Sequence, residues 1–82
     1  VNRDGRLRNF LEGIVRGVVS VPEKASVRAI DGPRATRFEI DVPAECRGQV
    51  IGKSGTTIRA IRTLVDVVAE RHRRRFEVEI VD

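Results

Sequence analysis

Tryptophan, tyrosine and methionine are absent from this sequence, and its aromatic residues are Phe10, Phe38 and Phe76. All three phenylalanines fall in the core phase of the periodic segments traced below, so base stacking on exposed rings is not expected to drive binding of a nucleic acid. The single cysteine, Cys46, excludes an internal disulfide and cannot build a structural zinc site alone. Histidine is also single, at His72, and no general base is identifiable beside Cys46. The expectation is a non-enzyme with no metal and no cofactor. No apolar run approaches the ~20 residues a membrane helix needs, and no charged-then-apolar leader opens the sequence. With the lone cysteine, these absences lead to the expectation of a reducing, cytoplasmic setting and no membrane partner.

What is present suits one small domain, expected to span residues 1–82. A domain of this size buries roughly 60–70% of the surface its unfolded chain exposes, so a modest stability is expected. The chain is 40% hydrophobic and 34% charged, the balance of an ordinary globular protein rather than a disordered tail. Its net charge is +4, unevenly spread. Residues 44–75 carry eight basic side chains against three acidic ones, whereas residues 76–82 carry three acids and no base. A basic segment beside an acidic one gives one face for an anion and another that repels it; a solvated, balanced surface is the alternative.

Hydrophobic periodicity gives the order α-β-β-α-α-β. From about Asp4 to Val19, Leu7, Phe10, Leu11, Ile14, Val15 and Val18 recur at i, i+3, i+4, i+7, an amphipathic helix that Asp4 can cap and Pro22 follows. Gly13 and Gly17 inside it cost roughly 1 kcal/mol each relative to alanine, which calls for close approach of another element, either the sheet or a second copy of the chain. Lys24–Ile30 and Arg37–Val42 read as strands around the turn Asp31-Gly32-Pro33-Arg34. In the second, Phe38, Ile40 and Val42 face in while Arg37, Glu39 and Asp41 face water. Residues 44–50 form a short helix, Thr56 to about Arg71 a long one with Ile58, Ile61, Leu64, Val65 and Val68 on one face, and Arg75–Val81 the last strand. The first strands pair antiparallel; the two-helix crossover makes the third parallel. The expected architecture is α+β: a three-stranded mixed sheet with three helices on one face, its other face wet and acid-rich.

The stretch that carries chemistry is Val50-Ile51-Gly52-Lys53-Ser54-Gly55-Thr56-Thr57-Ile58. Gly52 and Gly55 allow backbone angles forbidden to other residues and let a phosphate approach the main chain. The loop opens a helix whose first N–H groups lack partners and whose dipole favours an anion. Lys53 adds a positive charge, and Ser54 a hydroxyl. The spacing is neither that of a Walker loop nor that of a dinucleotide fingerprint. Taken with the element order, it resembles the signature of KH domains, whose G-x-x-G loop clamps the backbone of about four nucleotides. The whole length, including Ala60-Ile61-Arg62-Thr63 and the ending Val78-Glu79-Ile80-Val81-Asp82, resembles the small bacterial KhpA family with the type II arrangement.

That resemblance implies single-stranded RNA binding, an RNA-chaperone or post-transcriptional role, and pairing with itself or with a larger KhpB (Jag/EloR-like) protein. It also implies a link to cell shape and cell wall biogenesis. The expected RNA-binding residues are Gly52, Lys53, Ser54 and Gly55, with Ile51, Thr56 and Ile58 beside the loop and Arg59, Arg62 and Arg47 reaching phosphates. Ile51 and Ile58 would form one wall of an aliphatic groove and the last strand the other, with the strand's backbone reading bases. Arg71-His72-Arg73-Arg74-Arg75 extends the basic track or merely complements a helix C-terminus. Two other readings stay open at this point: an interaction subunit with minor RNA contact, and a helix-turn-helix binding duplex DNA.

Overall fold

The computed structural model describes residues 3–81, with side chains from residue 5 onward, so the proposed cap at Asp4 lies outside the described residues. The first helix, α1 (Arg3–Val18), buries Leu7, Leu11 and Val15, one turn apart, and the buried Val19 follows them. Pro22 cannot continue a helix, and the chain turns through a single 3-10 turn at Pro22–Lys24. This turn takes up Lys24, so strand β1 starts two residues later than the sequence suggests, at Ser26–Asp31. Strand β2 covers Ala35–Asp41.

The two pair antiparallel, Ser26 opposite Asp41 through Asp31 opposite Thr36. After a 3-10 turn at Ala44–Cys46, the short helix α2 (Arg47–Ile51) and the long helix α3 (Thr56–His72) carry the chain back across the sheet. Strand β3 (Arg75–Val81) then pairs parallel to β2, giving the sheet order β1-β2-β3. The expected α+β architecture, a three-stranded mixed sheet with helices packed on one face, is the one observed.

The core lies between sheet and helices. Val27, Phe38 and Ile40 from the sheet meet Leu11 and Val15 of α1, Val50 of α2, and Ile58, Ile61 and Val65 of α3. Phe38 and Phe76 pack edge to face with ring centroids 5.5 Å apart.

Three expectations are overturned. Phe10 is 53% exposed rather than buried, and Val18, Leu64 and Val67 are exposed with it, because Leu7-Leu11-Val15 and Ile58-Ile61-Val65 already fill the space over the sheet. Gly13 and Gly17 are not approached by the sheet: a methyl group at either would meet no atom of this chain within 4 Å. They sit two positions on from Leu11 and Val15, about 200° round the helix from the buried stripe. The wet face of the sheet is not simply acidic. Arg28 bonds Glu39 at 2.9 Å, Arg37 lies 3.3 Å from Glu39 and 3.9 Å from Glu79, and the two arginines leave Glu39 nearly buried.

Part of the basic run is also structural. The Arg74 Nε donates to the buried Thr36 hydroxyl (3.0 Å), which itself donates to the Asp31 carboxylate (2.8 Å). Arg74 Nη2 donates to the Gly32 carbonyl (3.2 Å), so this side chain ties the β1–β2 turn to the start of β3.

Candidate nucleic-acid interface

Helix α2 stops because Gly52 leaves helical geometry at φ 79°, ψ 168°, its N–H still donating to the Gly48 carbonyl at 2.8 Å. Ser54 (φ 57°) and Gly55 (φ 75°) are also left-handed, so three of the four loop residues have positive φ. The turn closes through the Gly55 N–H to the Gly52 carbonyl (3.0 Å), and the Thr56 hydroxyl donates to the Lys53 carbonyl (2.8 Å) as α3 begins. The Thr56 N–H donates to the same Lys53 carbonyl, so the amides of Gly55 and Thr56 are used and those of Lys53 and Ser54 stay outside the ladder. Successive amides in such a bend form an anion-binding concavity.

Lys53 and Ser54 are exposed at the tip, with Gly52 and Gly55 half-buried beneath them. Arg59 folds back over the loop: a Cβ built on Gly55 would lie 3.0 Å from its Nη1. Among the described residues neither Lys53 nor Arg59 is engaged in an ion pair.

The remaining predicted residues divide. Ile51 is 42% exposed beside the loop, whereas Ile58 is 7% exposed and belongs to the core, leaving little surface for a base. The Thr56 hydroxyl is committed to its own turn, and Arg47 is half-buried at the start of α2. Arg62 lies further along α3, where its Nη2 donates to the Val78 carbonyl of β3 at 3.3 Å.

That bond marks the groove. A cavity of about 260 Å3 opens between α3 and β3, lined by Arg62, Val65, Asp66, Phe76, Glu77 and Val78. The helical wall of this cavity is Arg62-Val65-Asp66, and Ile51 and Ile58 lie outside its lining. The i, i+3, i+4 spacing of those three residues is the signal that could have found it. Asp66 and Glu77, which also line it, are not among the site residues expected from the sequence.

The two edges of the sheet are treated differently. On β1, Arg8 donates to the Val27 carbonyl (2.7 Å), Glu12 accepts from the Val27 N–H (3.0 Å), and Arg16 donates to the Ala25 carbonyl (3.0 Å) just before the strand. Among the described residues the side-chain contact on the corresponding edge of β3 is the one from Arg62, and this edge borders the cleft between α3 and β3. An edge strand offers main-chain donors and acceptors to whatever lies beside it.

The carboxyl of Glu12 is perturbed by its surroundings. The Val27 amide holds it below the usual glutamate range near 4.5, against the opposing effect of burial and with help from Arg8 and Arg16. Among the described residues no group of His, Cys, Asp or Glu is arranged to hold a metal ion, and no helix is long and apolar enough to cross a membrane.

Comparison with known proteins agrees with this geometry. Residues 8–80 match the family model described as KhpA/KhpB, KH domain. The chain belongs to that family. Among its relatives, the RNA-binding protein KhpA of Leifsonia xyli is 42% identical over 72 residues, covering 88% of this chain and 92% of the relative. KhpA of Chlamydia pneumoniae is 36% identical over 76 residues (93% and 97%), and KhpA of Clostridium acetobutylicum 33% over 75 residues (92% and 100%). No solved structure matches the chain. The loop between α2 and α3 and the cleft beside β3 both lie inside the matched region.

Proposed function

We propose that residues 1–82 act as one KH domain that binds single-stranded RNA, seating the ribose-phosphate backbone on Gly52-Lys53-Ser54-Gly55 and laying bases along the α3–β3 groove. One observation carries this reading: three of the four loop residues before the long helix α3, Gly52, Ser54 and Gly55, have positive φ, with the unpaired cations of Lys53 and Arg59 beside them. The names of the KhpA relatives support the same ligand. Arg62 and Arg47 extend the contact, and Ile51 offers apolar surface at the loop. On this reading the protein is a non-catalytic, cytoplasmic RNA chaperone or post-transcriptional regulator, acting alone or with a KhpB-like partner, with an effect on cell shape and cell wall biogenesis.

A second reading, self-association, is favoured by a specific observation. Phe10, Leu64 and Val67 are exposed on the outer side of the helical layer. A cavity of about 240 Å3, lined by Arg6, Leu7, Phe10, Val68 and His72, runs between α1 and α3. A homodimer or a heterodimer with a KhpB-like chain would cover this face and leave the loop free. Sedimentation checks it, and Phe10→Ser with Val67→Ser should shift the population to monomer.

The test of RNA binding is Lys53→Asp with Ser54→Asp. Both side chains are exposed, and aspartate tolerates the left-handed backbone at position 54. Two carboxylates at the phosphate seat should weaken binding of a single-stranded oligoribonucleotide at least tenfold while circular dichroism and melting stay unchanged. Full binding by this variant would move the site elsewhere. Replacing the glycines by aspartate is less informative, since any side chain at Gly52 collides with Thr57.

A further inference from the structure

The cavity between α3 and β3 presents a lopsided set of polar groups, and that asymmetry bears on which bases it accepts; this inference rests on the RNA-binding reading. Helix α3 runs antiparallel to β3, so from Gly55 it passes Arg62 opposite Val78 and then Asp66 beside Phe76 and Glu77. A rise of about 1.5 Å per residue places Asp66 roughly 16 Å along the axis from Gly55, beyond the phosphate seat and alongside the bases that follow it.

The contact from Arg62 shows that the Val78 carbonyl lies on the free side of β3. The two-residue repeat of a strand puts the main-chain groups of Phe76 and Ile80 on that side as well. Val65, Val78 and the rim of Phe76 supply apolar walls. Of the charged side chains, Arg62 is engaged with Val78, and Glu77 lies 3.3 Å from Arg75. Asp66 is exposed and, among the described residues, forms no ion pair. The acceptors available to an entering base are therefore the Asp66 carboxylate and, once Arg62 turns to a phosphate, the main-chain carbonyl of Val78.

A carboxylate accepts from the exocyclic amino groups of cytosine and adenine. Uracil presents a carbonyl oxygen where cytosine carries its amino group, so lone pair would face lone pair and two desolvated acceptors would go unsatisfied. We propose that Asp66 is a specificity-determining residue, through which the α3–β3 cleft selects cytosine and adenine over uracil.

The experiment measures affinities of ten-nucleotide oligomers of C, A and U at one salt concentration by fluorescence anisotropy. It compares the wild-type chain, Asp66→Asn and Glu70→Gln. The wild type should bind the C and A oligomers about tenfold more tightly than U, a discrimination typical of one matched base contact.

Asparagine offers a donor as well as an acceptor, so Asp66→Asn should shrink that ratio at least threefold, chiefly by improving U. Glu70→Gln removes the same charge from an exposed site on the same helix outside the cleft. It should tighten all three ligands alike and leave the ratio unchanged. Equal binding of the three oligomers by the wild type, or a ratio unmoved by Asp66→Asn, overturns the assignment while leaving RNA binding intact. Failure of every oligomer to bind overturns the functional reading itself, and the assignment with it.

Discussion

Gly52 and Gly55 look equivalent in a G-x-x-G string, but the backbone uses them differently. At φ 79°, ψ 168°, Gly52 occupies a region open in practice to glycine alone. A Cβ there would stand 2.8 Å from the Thr57 nitrogen and 2.7 Å from its Cβ. Gly55, at φ 75°, ψ 15°, is in the ordinary left-handed region, and its neighbour is the movable tip of Arg59. Gly52→Ala should therefore cost about 2–4 kcal/mol, since strain and collision add, and Gly55→Ala only about 1–2 kcal/mol. Urea denaturation of the two variants decides it; equal costs would mean that the Gly52 geometry does not hold the turn. The two glycines could be read from the sequence, but two other left-handed residues could not. Ser54 is one. The other is Arg73 (φ 52°), which ends α3 where glycine is usual, its N–H donating to Glu70 and that of Arg74 to Ala69. Nothing in the residue type of a serine or an arginine announces a positive φ.

At the scale of elements, α1 does more than cover the sheet, because its polar side seals the edge of β1. Arg8 and Arg16 flank Glu12 at 2.9 and 3.4 Å, and the three together occupy the Val27 amide and carbonyl and the Ala25 carbonyl. Buried main-chain groups left without partners are costly, so this clasp both stabilises the edge and blocks its pairing with another strand. The Glu12 carboxyl titrates below its usual range in the folded chain. Its contribution is complete above pH about 4.5, the unfolded value, and is lost as pH falls through the lower folded value. Glu12→Gln should cost about 1–2 kcal/mol at pH 7, and its stability should fall less steeply than the wild type's below pH 4.5. Parallel loss in the two proteins, followed by chemical denaturation across that range, would show that this carboxyl is not the acid-sensitive clasp. The sequence carried this element's periodicity but not its reach. The spacing of Leu7, Leu11 and Val15 specifies a helix and a buried stripe, and the same spacing assigned Phe10 inward because it cannot tell how wide the stripe must be. For the same reason Leu64 was placed in the core that Ile61 and Val65 already fill. Which strand edge a helix would seal depends on the packing angle, and no period encodes that.

On the scale of the whole molecule, charge is sorted by pairing rather than by count. The wet face of the sheet holds Glu39, Glu77 and Glu79, but Arg28, Arg37 and Arg75 lie against them, so its field is largely cancelled. Arg8 and Arg16 are spent on Glu12, and Arg74 on the β1–β2 turn. Among the described residues Arg6, Lys24, Arg34, Lys53, Arg59, Arg71 and Arg73 stand outside these ion pairs; of them Lys53 and Arg59 sit at the loop, with Arg62 nearby on a neutral carbonyl from which a phosphate can draw it. An RNA strand gripped there should displace counterions from two or three phosphates. The logarithm of its affinity should then fall with the logarithm of salt at a slope of about −1.4 to −2. Arg59→Ala should flatten that slope by about 0.7, the share of one single-strand phosphate, whereas Arg28→Ala, on the far side of the sheet, should leave it unchanged. Binding isotherms between 50 and about 200 mM salt give all three slopes. If self-association presents two loops to one strand, the slope should rise towards twice its value as chain concentration passes the dimerisation point, with no change in the effect of Arg59→Ala per loop. A slope near −6 in the monomer would require about nine phosphate contacts, far more than the cations at the loop can make, and the small seat at Gly52–Gly55 would then be the wrong description of how this chain holds RNA.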